Sequence, residues 1–298
     1  MVTPAIVPSW LTPEYPFQPH ALRLPRRARM SFLDEGPRSD EAVLMLHGNP
    51  TWSFYYRRLV RELSPKIRCV APDHVGMGLS DQPSHYDYSL ATRIADLELL
   101  VEHLGLKRIH LVVHDWGGAI GFGYAARHPD KIARLVVMNS AAFPSPRIPA
   151  RIALCRTPVL GEILVRGFNG FAWPATWMAM HRRKLGLLEK RGYLLPYASW
   201  ASRVAVHAFV RDIPMTPEHR SWPTLAEAEA GLAQFRDRPL LLVWGAQDFC
   251  FDETFLLRWR ELFPNARCVR LSDAGHYVLE DAAEDVVPLI RDHLLAGT

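Results

Sequence analysis

Six short apolar runs, each ending in small or polar residues, constrain the fold of this chain more than any other feature. They lie at 42–48, 69–76, 110–118, 134–143, 240–248 and 268–276. Continuous apolar runs of this length are typical of parallel strands buried on both faces. Segments with apolar residues at helical spacing lie between several of them, as at 89–105 and 253–264. The alternation predicts an α/β fold with a mostly parallel, doubly wound sheet. Weak alternation at 21–36 adds an antiparallel edge hairpin.

The alternation breaks between two of these runs. From about Phe143 to about Arg236 the pattern is helical without strands. We therefore predict one α/β-hydrolase-type core formed by residues 1–143 and 237–298, with residues 144–236 inserted as a helical cap. Such a cap would lie over the carboxyl edge of the sheet, where open α/β sheets bind ligands.

The cap segment is rich in large apolar side chains. Trp173, Trp177, Met178 and Met180 are more than one amphipathic face requires, and we expect the first three to line an apolar cavity between cap and core. The alternative is that they only pack the cap onto the core.

The run at 110–118 carries the strongest chemical signal. Its apolar residues lead into Asp115, which is followed by Trp116, two glycines and a helical pattern. This is the layout of a nucleophile elbow, with Asp where a hydrolase would carry Ser. A carboxylate is already ionised at neutral pH and can attack carbon directly. The simpler alternative is that Asp115 only caps the following helix.

Two further polar residues end the last two strand runs. Asp248 follows one run and His276 the other, so the chain order is nucleophile, acid, base, as this fold requires. We expect His276 to act as a base that Asp248 orients. Three other carboxylates could orient His276 instead of Asp248: Asp252, Asp273 and Asp281. Of these, we expect Asp252 to cap a helix.

Two neutral donors accompany the nucleophile. Asn49, in the sequence LHGNP, offers a side-chain NH₂, and Trp116 offers an indole N–H. Both can be directed at an anion that forms as a bond breaks.

Composition excludes several function classes. The net charge is +4, but no basic stripe with interleaved aromatics indicates nucleic-acid binding. No apolar run reaches the roughly 18 residues that span a bilayer, and no signal peptide is recognisable. The four cysteines lack metal-ligand or CxxC spacing. We expect a cytoplasmic enzyme with reduced thiols, no metal and no cofactor.

Five segments resemble the haloalkane dehalogenases of the α/β-hydrolase superfamily, and the resemblance covers nearly the whole chain. They are HGNPTWSFYYR (47–57), APDHVGMGLSD (71–81), VVHDWGG (112–118), WGAQDF (244–249) and DAGHYVLEDA (273–282). The resemblance implies that Asp115 is the nucleophile, His276 the base and Asp248 the acid, with Asn49 and Trp116 binding the leaving halide. One dehalogenase subgroup takes its acid from a Glu that follows an earlier strand, the one before the strand that leads to Asp248. In this chain that earlier strand runs into NSAAF, which has no carboxylate. This subgroup therefore fits less well.

A distinct branch of that family resembles the chain more. The motifs that carry this resemblance are the 47–57 segment, the cap segments 168–178 and 211–214, and the segment AGHYVLEDA near the end of the sequence. This branch contains the β-lactone decarboxylases of bacterial long-chain olefin biosynthesis. It implies a cis-3,4-dialkyl β-lactone substrate, with a cis-alkene and CO₂ as products. Other enzymes of that pathway, and peripheral contact with a membrane, are the partners it implies.

Three alternatives remain open at this point. A haloalkane dehalogenase would use the same five site residues. An epoxide hydrolase would need cap tyrosines, for which Tyr193 and Tyr197 are candidates. A non-catalytic ligand-binding protein on this fold is expected to lack one or more of the catalytic residues, whereas all three are present here.

Overall fold

The sheet positions every residue discussed below. The computed structural model describes residues 6–25 and 27–296. Within them lies an eight-stranded sheet in the order β1-β2-β4-β3-β5-β6-β7-β8. Its strands are β1 (His20–Arg23), β2 (Arg29–Glu35), β3 (Glu41–Leu46), β4 (Arg68–Pro72), β5 (Arg108–Asp115), β6 (Ile132–Ser140), β7 (Leu240–Gly245) and β8 (Arg267–Leu271). β2 pairs antiparallel with β1 and β4, and the other pairs are parallel. The predicted α/β class and the edge hairpin are confirmed.

The helices flank the sheet and fill the interval between β6 and β7. They are α1 (Arg57–Leu63), α2 (Leu90–His103), α3 (Trp116–Arg127), α4 (Ala150–Arg156), α5 (Leu160–Glu162, continued by a π-helical turn at Ile163–Gly167), α6 (Ala172–Met178), α7 (Leu187–Leu194), α8 (Val204–Arg211), α9 (Trp222–Gly231), α10 (Glu253–Leu262), α11 (Val278–Asp281) and α12 (Ala283–Leu295). Among the described residues, none of these helices has the length and hydrophobicity needed to cross a membrane.

The region from α4 to α9 corresponds to the predicted cap, and we use that name for residues 144–236. The chain there is helical and contributes nothing to the sheet. The division into cap and core at those bounds stays a prediction. The outermost residues assigned to the core, 1–5 and 297–298, lie outside the described residues.

The continuous apolar runs of the central strands reflect burial on both faces of the sheet. The run at 268–276 departs from this expectation, because β8 is an edge strand and is only partly buried. Leu111 and Val113 of β5 face one core cluster, which includes α2 and α3. Val112, between them, faces the other cluster, which includes α1 and α12. Successive side chains of a strand point to opposite faces, so a central strand with helices on both sides must be apolar throughout. The cysteines are unpaired, and Cys69 and Cys155 are buried.

A buried ionic cluster joins the cap to the core. The guanidinium of Arg57 is completely buried and pairs with Glu280. From the cap, Tyr193 donates its hydroxyl to Glu280 Oε1 at 2.7 Å and Arg183 Nη2 donates to Glu280 Oε2 at 3.1 Å. Glu189 of α7 also accepts from Arg183 at 2.7 Å. The cap is thus anchored beside α11, the helix that begins just after His276.

Candidate active site

Asp115 lies at a sharp turn between β5 and α3. Its backbone has φ 53° and ψ −125°, a region that costs energy for a residue with a side chain and is held by its surroundings. A Cβ at Gly117 would lie 2.0 Å from Leu46 O, and one at Gly118 would lie 2.0 Å from Ser140 Oγ. The two glycines therefore let α3 start against the sheet. Asp115 makes no side-chain capping hydrogen bond to α3, so the helix-cap alternative is wrong.

The carboxylate of Asp115 is directed instead at the loop after β3. The backbone N–H of Asn49 donates to Asp115 Oδ1 at 2.6 Å, and a Cβ at Gly48 would lie only 1.9 Å from that oxygen. Burial raises the pKa of Asp115, and the nearby His276 and the backbone N–H groups of Trp116 and Asn49 oppose the rise; the net pKa is above its usual value. The loop fixes one carboxylate oxygen and leaves the other facing His276.

His276 stands between the two carboxylates. Its Nδ1 donates to Asp248 Oδ2 at 2.7 Å, and its Nε2 lies 3.8 Å from Asp115 Oδ2. A carboxylate can only accept, which places the proton on Nδ1. Burial lowers the pKa of His276, but Asp248 and then Asp115 raise it, so the net pKa lies above the ordinary value. The structure thus brings together the three residues that the sequence singled out.

The three competing carboxylates have other partners. Asp252 accepts from the Thr254 N–H as the N-cap of α10, as predicted. Asp273 is exposed and pairs with Arg182. Asp281 accepts the backbone N–H groups of Gly275 and of the residues at 181–183. Of these three and Asp248, it is Asp248 that is hydrogen-bonded to the imidazole of His276.

Asn49 and Trp116 line the same cavity as Asp115. Asn49 Nδ2 donates to Val206 O of α8 at 3.1 Å, and its second N–H remains for a ligand. The Trp116 indole packs edge-on against Phe209, with ring centroids 5.6 Å apart, and the buried Arg93 guanidinium lies 5.0 Å above it. Helix α8 therefore holds both predicted donors in place from the cap side.

Two residues next to this site were missed by the sequence interpretation. Asn139, at the end of β6, donates to Asp248 Oδ2 at 2.9 Å and accepts from the Gly245 N–H at 2.8 Å. His114 donates to the His276 carbonyl at 2.9 Å, and burial holds its pKa far below normal, so it is neutral. Asn139 could have been recognised as a polar residue ending a buried strand. His114 carried no such signal, because it lies inside the strand run.

Two adjoining apolar cavities lie over the site. The first, of about 130 Å³, contains Asp115 and Trp116 and runs to Phe143, Leu225 and Phe255. The second, of about 140 Å³, contains His276 and runs to Cys155, Ala175 and Met178. We call them arm 1 and arm 2. Their walls are mostly apolar with few polar groups, as is typical of small-molecule sites.

Of the three residues predicted to line a cavity, the structure places one in an arm. Met178 lines arm 2. Trp173 and Trp177 line neither arm; they are 56% and 44% exposed, with ring centroids 4.4 Å apart. This part of the prediction is corrected: residues four apart share one helix face, and this face of α6 points outward.

The two cap tyrosines are also committed elsewhere. Tyr193 donates to Glu280, and the Tyr197 hydroxyl contacts Thr51 O at 3.4 Å and Met77 Sδ at 3.2 Å. Neither lines an arm. The pair that an epoxide hydrolase would require is therefore not at these positions.

Comparison with known proteins gives consistent relatives. The model of the alpha/beta hydrolase fold family matches residues 41–283. The cis-3-alkyl-4-alkyloxetan-2-one decarboxylase of Shewanella oneidensis is 44% identical over 95% of this chain and 90% of its own. That of Xanthomonas campestris pv. campestris is 44% identical over 95% and 97%. Haloalkane dehalogenase 2 of Mycobacterium tuberculosis is 29% identical over 89% and 91%. The crystal structure of haloalkane dehalogenase DbeA from Bradyrhizobium elkani superposes with a TM-score of 0.83 at 27% identity, covering 92% and 96%.

Proposed function

This chain belongs to the α/β hydrolase fold family, and from that premise we propose that it is a lyase that converts cis-3-alkyl-4-alkyloxetan-2-ones into cis-alkenes and CO₂. The observation that carries the proposal is the 44% identity to two decarboxylases of that name over at least nine-tenths of each chain. The dehalogenase relatives are more distant.

We assign the nucleophile to Asp115. One carboxylate oxygen would attack the sp³ ring carbon that bears the lactone oxygen, and that carbon–oxygen bond would break with inversion. The departing group is a carboxylate, and it would accept hydrogen bonds from Asn49 and Trp116. The product of this step is an alkyl ester of Asp115 with a free carboxylate on the neighbouring carbon.

The second step would release both products. The bond between that neighbouring carbon and its carboxylate breaks, and its electron pair forms the double bond. The ester oxygen departs on the opposite side, so CO₂ leaves and Asp115 is regenerated as a carboxylate. Inversion followed by anti elimination gives net retention, and a cis-lactone therefore yields a cis-alkene. No water and no net proton transfer are required.

His276 would position charge in this scheme. The imidazole lies between Asp248, at 2.7 Å, and Asp115, at 3.8 Å. Although burial lowers the pKa of His276, Asp248 and Asp115 raise it above its ordinary value, and an imidazolium here would stabilise Asp115 as a carboxylate when that group is formed again. Asp248, held by Asn139 and the Cys250 N–H, fixes the ring.

Hydrolytic dehalogenation is the second candidate, and the same geometry supports it. A neutral His276 Nε2 faces the carboxylate that would carry the alkyl ester, where it could activate water. The two candidates differ in whether water attacks that ester.

The test is turnover in H₂¹⁸O. The wild-type protein is incubated with a cis-β-lactone carrying two long alkyl chains, and alkene is measured by gas chromatography, with Asp115→Ala as the control. The mass of the peptide containing Asp115 is then measured by mass spectrometry. We expect alkene only with Asp115 intact, and no ¹⁸O in the peptide. Absence of alkene, together with halide release from a bromoalkane and ¹⁸O in Asp115, would assign the protein to hydrolysis.

We also propose that the protein acts in the cytoplasm and receives its water-insoluble substrate in contact with a pathway enzyme or a membrane. Support comes from exposed apolar side chains on the cap, namely Leu154, Val159, Leu160, Ile163, Phe168, Trp173, Trp177, Leu187 and Trp200. Flotation with lipid vesicles, and pull-down with purified pathway enzymes, would separate these two partners.

A further inference from the structure

The two arms are adjoining cavities whose walls have four residues in common. This shared lining, which we call the junction, consists of Asn49, Ile152, Phe171 and Cys250. Beyond it, arm 1 runs between the loop after β6, the end of α8 and the helices α9 and α10, while arm 2 runs between α4, α6 and the loop after β7.

The reacting groups lie where the arms meet. Asp115 lines arm 1 and His276 lines arm 2, and their side chains approach to 3.8 Å. A substrate whose reacting carbon lies at Asp115 can therefore extend into both arms. A substrate with a single chain would fill only one of them.

Each arm has its own polar rim. Arg147 lines arm 1 with its side chain 62% exposed, next to Asp252. Arg151 lines arm 2, is exposed, and lies over the Phe249 ring at 4.4 Å. The walls between the rims and the junction are largely apolar. This arrangement suits two alkyl chains that leave the reacting centre in different directions.

We propose that the arms divide the substrate: each holds one of the two alkyl chains, and the four-membered ring lies at the junction. The inference rests on the proposed function, because a 3,4-dialkyl β-lactone carries its chains on adjacent ring carbons. Ile152 and Phe171, which contribute to both walls, are the residues that separate the chains.

The proposal predicts a crossover between two regioisomers. One cis-lactone carries a long chain at C3 and a methyl group at C4, and the other has them reversed. Ser145→Phe narrows arm 1 and Ala175→Phe narrows arm 2; both are small, partly buried residues that line only one arm. Ala201→Phe, at an exposed cap position outside both arms, is the matched control.

The measured quantity is the ratio of kcat/KM for the two isomers within one preparation, so that general damage to the enzyme cancels. We expect each filling variant to change this ratio at least tenfold, in opposite directions, and Ala201→Phe to leave it unchanged. If a filling variant does not fold, Ile213→Ala, which widens arm 1, and Met178→Ala, which widens arm 2, take its place. Each should raise kcat/KM for one of the two isomers, and the two variants should favour opposite isomers.

Two results would overturn the proposal. If both filling variants penalise the same isomer, or both isomers equally, the chains share one arm. Alkene from the wild-type enzyme with either isomer would keep the proposed function intact in that case. If the wild-type enzyme makes no alkene from either isomer, the proposed function fails, and the division of chains fails with it.

Discussion

The carboxyl edge of the sheet and the walls of the two arms are built on opposite principles. At the edge, Asp115, Asp248 and His276 are each held by hydrogen bonds of 2.6–2.9 Å from backbone or buried side chains. In the arms, the lining is mostly aliphatic and aromatic. Hydrogen bonds fix positions closely, whereas apolar contacts tolerate changes of shape. The edge should therefore determine the reaction, and the arms should determine which chains enter.

The largest effect should come from the edge itself. Asp115→Ala removes the attacking carboxylate, and alkene formation should fall by at least about 10⁴-fold, as when the nucleophile of a serine protease is deleted. Asp273→Ala, at an exposed carboxylate, is the control and should stay close to wild type. Single-turnover kinetics would measure both. Activity above a thousandth of wild type in Asp115→Ala would contradict the assignment.

The buried ionic cluster that joins the cap to the core should have the largest effect on stability. Glu280→Ala leaves the fully buried Arg57 without its main counter-charge and removes the acceptor of Tyr193. Breaking such a pair typically costs about 3–5 kcal/mol, and urea unfolding would measure it. Glu261→Ala breaks an exposed pair with Arg258 and should change the unfolding free energy by less than about 1 kcal/mol. Similar unfolding free energies for the two variants would show that the buried ionic cluster contributes little to stability.

The leaving-group donors provide a smaller and more specific test. Trp116→Phe keeps the ring against Phe209 but removes the indole N–H, and kcat should fall by about 10²–10³-fold. Trp177→Phe, on the exposed face of α6, is the matched control and should leave kcat unchanged. Equal kcat for both variants would remove Trp116 from the anion site while leaving Asp115 in place.

The smallest effect concerns pH and again belongs to the edge. His47 donates from Nδ1 to Gly48 O and accepts the His74 N–H at Nε2, and burial lowers its pKa to about 4. Between pH 6.5 and that value the unfolded chain binds a proton that the folded chain does not. The unfolding free energy should therefore fall with decreasing pH, by up to about 1.4 kcal/mol per pH unit from this residue.

His276 should act at the other end of the pH range. Its raised pKa stabilises the fold fully below 6.5, and this stabilisation is lost as the pH rises through its folded-state pKa. Urea unfolding of the wild type and of His47→Asn from pH 4 to pH 9 would separate the two. An unchanged acid slope in His47→Asn would contradict the assignment.

The polar residues at strand ends could be predicted from the sequence, and several cap residues could not. Asp115 ends β5, and Asp248 and His276 follow β7 and β8 within five residues. Their proximity could be predicted because the carboxyl ends of parallel strands share one edge of the sheet. Asn139, next to the end of β6, occupies the same kind of position. The contacts of Tyr193 and Tyr197 could not be predicted, because their partners Glu280 and Thr51 lie far away in the chain.

Sequence alone determined the strands, their mostly parallel arrangement and the chemical types at the carboxyl edge, because those features follow from local periodicity and from the position of a residue in its strand. Only the tertiary structure decided that Trp173 and Trp177 face outward while Met178 faces arm 2, and that Ile152 and Phe171 line both arms. Periodicity shows which residues share a helix face. Which face is buried depends on what packs against it, and that is set by contacts between distant parts of the chain.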